Sequence, residues 1–104
     1  MSPTVADLSI SAESKQYVRV PIADVAGANP TGDTVEMAFP LIGQEPVTFY
    51  LGSWQTISGV FYARCLVGPS SSGPVLTVGY YDVYVRITDD PEVPVLYAGT
   101  LEVI

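Results

Sequence analysis

The chain has 104 residues, eleven acids against four bases, a net charge of −7 and no histidine. That length gives one domain, with a core large enough to stand without metals or disulfides. The composition disfavours several functions. Without histidine the commonest general base and metal ligand are missing, so acidic a body is a poor binder of nucleic acid, and 48% apolar residues are too many for a disordered tail.

The first ten residues hold neither a basic stretch nor a long apolar one, which predicts no signal peptide. No apolar run reaches the roughly 18 residues of a membrane-spanning helix, so no membrane partner is expected. Residues 1–7 are low in charge, and Pro3 favours an extended chain. They read as a docking arm able to add a strand to a neighbour's sheet edge, or else as a frayed terminus.

Strands dominate the rest of the pass, and no segment sustains a helical period. Residues 5–10 form a weak strand. Residues 17–22 alternate, with Val18, Val20 and Ile22 on one face and Tyr17 and Arg19 on the other. Residues 27–33 are a loop rich in glycine, proline, asparagine and aspartate. Residues 33–39 place Val35, Met37 and Phe39 inward, Thr34 and Glu36 outward. Residues 47–51 form a second weak strand. Trp54 follows, either as a contact residue on a loop or as the plug of one end of the core. Residues 60–67 turn Phe61, Ala63, Cys65 and Val67 inward, Tyr62 and Arg64 outward. Residues 68–74 are predicted to be a flexible loop. Residues 79–88 alternate most strongly, with Tyr81, Val83, Val85 and Ile87 inward and Tyr80, Asp82, Tyr84 and Arg86 outward. A turn at residues 89–94 leads to the last strand, residues 95–104, with Leu101 and Val103 inward around Glu102. Seven such strands predict an all-β fold, an antiparallel immunoglobulin-like β-sandwich spanning residues 1–104, with a small Greek-key barrel as the alternative. The Cys…Trp…Cys pattern of antibody domains is absent, so the similarity is one of shape.

Chemistry is hard to assemble from these residues. A serine triad needs histidine, and Lys15, the single lysine, is thin support for a Ser-Lys pair. Eleven acids produce carboxylate pairs by chance, so pairs alone do not signal glycosidase work. Asp89, Asp90 and Glu92 cluster in a turn stiffened by Pro91 and Pro94. Their spacing fits no EF-hand, and solvated turn carboxylates are the simpler reading. Cys65 reads as a small buried hydrophobe. The alternatives are an intermolecular disulfide or a nucleophile, and the latter lacks a histidine to activate it. Neither catalysis nor a cofactor nor a metal site is expected.

The outward tyrosines and arginines carry more. Three of the four bases are arginines two positions after a tyrosine: Tyr17 and Arg19, Tyr62 and Arg64, Tyr84 and Arg86. Both residue types are enriched at interface hot spots. Together with Trp54 these six are the candidate interface, although ordinary cross-strand stacking on a solvated sheet explains them equally well.

Residues 79–104, GYYDVYVRITDDPEVPVLYAGTLEVI, run through a glycine-led strand Tyr-Asp-Val-x-Val-Arg-Ile-Thr-Asp, a turn Asp-x-Pro-Glu-x-Pro-Val and a last strand containing Ala-Gly-x-Leu. In these features the segment resembles the ending of small immunoglobulin-like structural proteins of tailed bacteriophages, of the actinobacteriophage type. Residues 32–40, GDTVEMAFP, and residues 61–69, FYARCLVGP, resemble the same proteins, and the first of them also resembles the N-terminal module of upper-baseplate proteins. The resemblance implies a virion structural protein assembled in the host cytoplasm, with the major capsid protein or other virion proteins as partners, and itself homo-oligomeric or repeated on the particle. A head decoration or accessory protein is the first expectation. A connector, tail or baseplate component is the second. A stand-alone carbohydrate- or receptor-binding module, with Trp54 and Tyr50 as its contact residues, is an alternative of another class.

Overall fold

The computed structural model describes residues 8–22, 30–88 and 92–104. Residues 1–7 (the expected arm), residues 27–29 of the loop at 27–33, and Asp89 and Asp90 lie outside them. Among the described residues there are eight strands: β1 (Leu8–Ile10), β2 (Gln16–Ile22), β3 (Thr34–Ala38), β4 (Tyr50–Leu51), β5 (Ser53–Ile57), β6 (Val60–Val67), β7 (Gly79–Thr88) and β8 (Val95–Val103). A 3-10 turn at Pro30–Gly32 leads into β3. Among the described residues no helix is long and apolar enough to cross a membrane.

The strands form two sheets, β1-β8-β7-β3-β4 and β2-β6-β5. This is the strand order of an immunoglobulin-type sandwich, with β2, β6 and β5 as strands B, E and D against β8, β7, β3 and β4 as G, F, C and C′. The fold is therefore the expected all-β sandwich, with two corrections. It has eight described strands rather than seven, and one pairing is parallel: β1 runs alongside β8, matching Leu8 to Leu101 and Ile10 to Val103.

Period-two burial is what holds the sheets together. Val18, Val20, Val35, Met37, Cys65, Val67, Val83, Val85, Leu101 and Val103 are all at most 2% exposed and form one cluster between the sheets. Tyr81 closes one end of it. Its hydroxyl donates to the Thr77 carbonyl at 2.7 Å, four residues upstream and just before β7. This is the tyrosine-corner arrangement of immunoglobulin sandwiches. Two residues on, where antibody domains carry their second cysteine, stands Val83.

The missed strand, β5, is a polar edge strand with the sequence Ser-Trp-Gln-Thr-Ile and no fully buried position. Its pairing with β6 is fixed by a two-residue hairpin, Ser58-Gly59, in which both residues have positive φ, 50° and 80°. That is the twist-matched loop of tight hairpins. The expected strand at 47–51 shrinks to Tyr50–Leu51, and Val47 is 86% exposed. The chain then changes sheets within one residue. The Gly52 N–H still bonds the Val35 carbonyl at 2.8 Å, while Ser53 already pairs with Arg64. A Cβ at Gly52 would lie 2.7 Å from the Arg64 carbonyl oxygen, so the crossing needs glycine.

Two further departures re-aim side chains. The β7–β8 register shifts between Val83 and Tyr84, so that Gly99 faces Val83 but Tyr97 faces Tyr84. Ala98 is the extra residue of this bulge, and it turns Tyr97 outward although odd-numbered Leu101 and Val103 point inward. Asp82 is the second departure. Alternation placed it outward beside Tyr80 and Tyr84, yet it is 7% exposed. The segment after β3 folds across it. Gly43 N–H donates to Asp82 Oδ2 at 3.0 Å, Tyr97 Oη donates to Oδ1 at 3.3 Å, and Asp82 N–H donates to the Pro40 carbonyl at 2.9 Å. A buried carboxylate with two donors is satisfied where it sits.

The loop at 68–74, expected to be flexible, closes on itself through internal hydrogen bonds. Gly68 N–H bonds the Pro74 carbonyl at 2.9 Å, and Ser71 Oγ donates to the Gly68 carbonyl at 2.6 Å.

Candidate functional site

The register of β2, β6 and β5 fixes which side chains share the outer face of the three-stranded sheet. Across it run two complete rows, Pro21–Tyr62–Gln55 and Arg19–Arg64–Ser53, with Tyr17 opposite Leu66 beside them. The sheet therefore brings together four of the seven candidate interface residues: Tyr17, Arg19, Tyr62 and Arg64. No aspartate or glutamate stands among the outward residues of these three strands.

The two arginines are directly opposite each other. Like charges so placed destabilise a sheet, and here the surroundings hold them apart without neutralising them. Arg19 Nε donates to Gln55 Oε1 at 2.7 Å, and Arg64 Nε donates to Ser53 Oγ at 3.0 Å. The Arg64 guanidinium carbon lies 4.1 Å from the Tyr17 ring centroid and that of Arg19 lies 5.5 Å from it. One ring thus offers its negative π face to two cations.

Tyr84 and Arg86 lie on the outer side of the other sheet, so the three tyrosine–arginine pairs do not make one patch. Arg86 is also spent. It faces Glu36 across the ladder, with Nε and Nη2 donating to the two carboxylate oxygens at 3.1 and 3.0 Å, and its guanidinium lies 3.9 Å from the Phe49 ring centroid. The pair is 33% and 23% exposed, so solvent limits its worth to about 1 kcal/mol or less. The Tyr84 ring meets Tyr97 edge-on at 5.5 Å. This face is acidic in character. Tyr84 is pushed above the ordinary phenol value first by desolvation and then by Asp82, Glu45 and Tyr97, and Tyr80 is raised by its hydrogen bond with Glu102.

Trp54 faces inward on β5 beside Ala63 and packs against the core, and its indole N–H donates to the Asp33 carbonyl at 2.8 Å. It packs against the core from a strand, not from the loop on which a contact residue was expected. Tyr50 lines an open groove of about 390 Å³ at one end of the sandwich with Phe39, Leu41, Val47, Val75 and Leu76. Trp54 does not line this groove, so the two aromatics proposed for carbohydrate contact are not brought together there.

Cys65 is 1% exposed on the inner face of β6. Desolvation pushes its thiol up to about 11 from an ordinary 9.0. The unfolded chain loses this proton at lower pH than the folded one, so the thiol's contribution to stability is complete below pH 9 and fades as pH rises towards 11. At about 1.4 kcal/mol per pKa unit the expected size is at most about 3 kcal/mol. Urea midpoints for wild type and Cys65→Ala should converge over that window, and parallel profiles would refute the assignment. Glu92 is exposed, and among the described residues no three metal-ligating side chains come together.

Compared with known proteins, the chain matches no family model and no curated relative.

Proposed function

We propose that this chain is a non-enzymatic, immunoglobulin-like structural module of a tailed-phage particle that docks through the outer face of its three-stranded sheet. A head decoration or accessory protein is the form of that role favoured here. One observation carries the reading: on a body of net charge −7, Tyr17, Arg19, Tyr62 and Arg64 share one face whose strands β2, β5 and β6 carry no carboxylate. Tyrosine and arginine supply large contact area with directional donors, the composition of interface hot spots. The resemblance of residues 32–40, 61–69 and 79–104 to phage structural proteins supports the choice of partner. A protein that binds only the assembled shell stabilises it by mass action, with no reacting group required.

The test is co-sedimentation of the purified chain with assembled particles, with its amount measured against the major capsid protein. Stoichiometric binding over the shell supports decoration. Binding confined to one vertex or to the tail moves the role to a connector or baseplate. Absence of binding refutes the proposal. Arg64→Ala is expected to weaken docking by about tenfold or more, because it removes a central side chain of the face. Arg86→Ala, on the opposite face, should leave docking unchanged.

A further inference from the structure

We infer that Arg19, Arg64 and the Tyr17 ring between them form a receptor for side-chain carboxylates on an acidic partner surface. This rests on the docking reading and names the chemistry of the partner. The argument starts from what each guanidinium has left to give. Arg86 is closed by Glu36, which takes both its Nε and one Nη. Among the described residues, Arg19 and Arg64 are each tethered through Nε alone, to the neutral acceptors Gln55 and Ser53. Among the described residues no carboxylate lies within ion-pairing distance of either. Their Nη ends remain as forks whose geometry fits a carboxylate in bidentate fashion.

The tethers also orient. An arginine on a solvated sheet ordinarily samples many rotamers, and a ligand must offset that loss of freedom. Here one hydrogen bond and one aromatic face fix each head group before a partner arrives, so less ordering remains to be done. Two like charges are held opposite each other at a cost to the sheet. An anion placed between the forks removes that cost at the moment of binding. The described residues of the face supply no anion, and a partner's carboxylate fills that role.

Charge selects the class of anion. A phosphate backbone presents a dense row of charges, and affinity for it depends on neutralising many of them. Two arginines on a body of −7 cannot do so. One or two carboxylates on a folded protein surface, with the acidic far face screened at physiological salt, match the two forks.

The test is titration of the ¹⁵N-labelled full chain with a hexaglutamate peptide, followed by NMR. Perturbations are expected at the Arg19 and Arg64 Nε–H groups and at Tyr17, weakening as salt rises. Arg19→Gln with Arg64→Gln should abolish them without lowering the melting temperature, since like-charge repulsion is relieved. Arg19→Lys with Arg64→Lys keeps the charge and loses the fork, and should weaken binding several-fold. The inference is overturned by unperturbed spectra, by equal binding in the Gln double variant, by undiminished binding in the Lys double variant, or by tighter binding of an oligonucleotide of equal charge. Peptide binding without particle binding would refute the docking role and leave the receptor standing. Undiminished particle binding by the Gln double variant would refute the receptor and leave docking through other side chains.

Discussion

Gly68→Ala is expected to destabilise the protein by about 3 kcal/mol or more, a large share of the roughly 5–15 kcal/mol that holds a domain folded. Two independent penalties meet there. Gly68 has φ of +113°, a conformation that side chains with a Cβ rarely adopt. A Cβ built on it would also sit 2.0 Å from the Ser14 carbonyl oxygen and 2.9 Å from Lys15 Cα. Both neighbours are backbone, at the entrance to β2, and cannot swing aside as a side-chain tip would. Relieving the overlap means opening the Gly68–Pro74 hydrogen bond or moving β2 off β6 at its Gln16–Val67 end. Two other glycines separate the penalties. Gly59 has φ of +80° with nothing within 4 Å, so alanine there should cost about 1 kcal/mol from conformation alone. Gly32 has open space and no positive φ, and its alanine variant should be neutral within about 0.5 kcal/mol. Urea denaturation of the three variants checks the order. A loss at Gly68 no greater than at Gly59 would show that the backbone contact yields.

The strands that the sequence revealed are those buried on one face. In β2, β6 and β7 the alternation of Val with Tyr and Arg is imposed by the core, so reading it needs no knowledge of partners. β5 was invisible because it is an edge: its pairing comes from backbone bonds and the Ser58-Gly59 hairpin, not from a row of buried side chains. Ser-Gly was the available signal, and it lies between Ile57 and Val60 as a two-residue turn requires. The Ala98 bulge and the burial of Asp82 were unreadable for a different reason. Both depend on what crosses from elsewhere in the chain, Val83 and Tyr84 on one side and the Pro40–Gly43 segment on the other. The candidate site divides in the same way. That Tyr17, Arg19, Tyr62 and Arg64 point outward follows from local period. That they share a face, while Arg86 finds Glu36, follows from register and sheet membership, which period-two patterns do not encode.

Met37→Ala is expected to cost about 3–4 kcal/mol, and it reports on the same core from its centre. Met37 heads the fully buried side chains by size, at 0% exposure. It lies on β3 between Val85 of β7 and Tyr50 of β4. This strand corresponds to the one that carries the buried tryptophan in antibody domains. Here there is neither tryptophan nor inter-sheet disulfide, so a flexible thioether fills the space between valines. Truncation removes transfer free energy and leaves a void that flanking β-branched residues, stiff at χ1, fill poorly. Met37→Leu keeps most of the volume and should cost less than about 1.5 kcal/mol. Cys65 supplies an internal probe of the loss. Its thiol is buried on β6, so alkylation at neutral pH proceeds through opening of the sandwich. Where opening and closing are fast against the chemistry, each 1.4 kcal/mol lost speeds labelling tenfold, so Met37→Ala should label on the order of 100-fold faster than wild type. A variant that loses its urea stability but labels Cys65 at the wild-type rate would mean that β6 reaches solvent by a local opening that Met37 does not help to close.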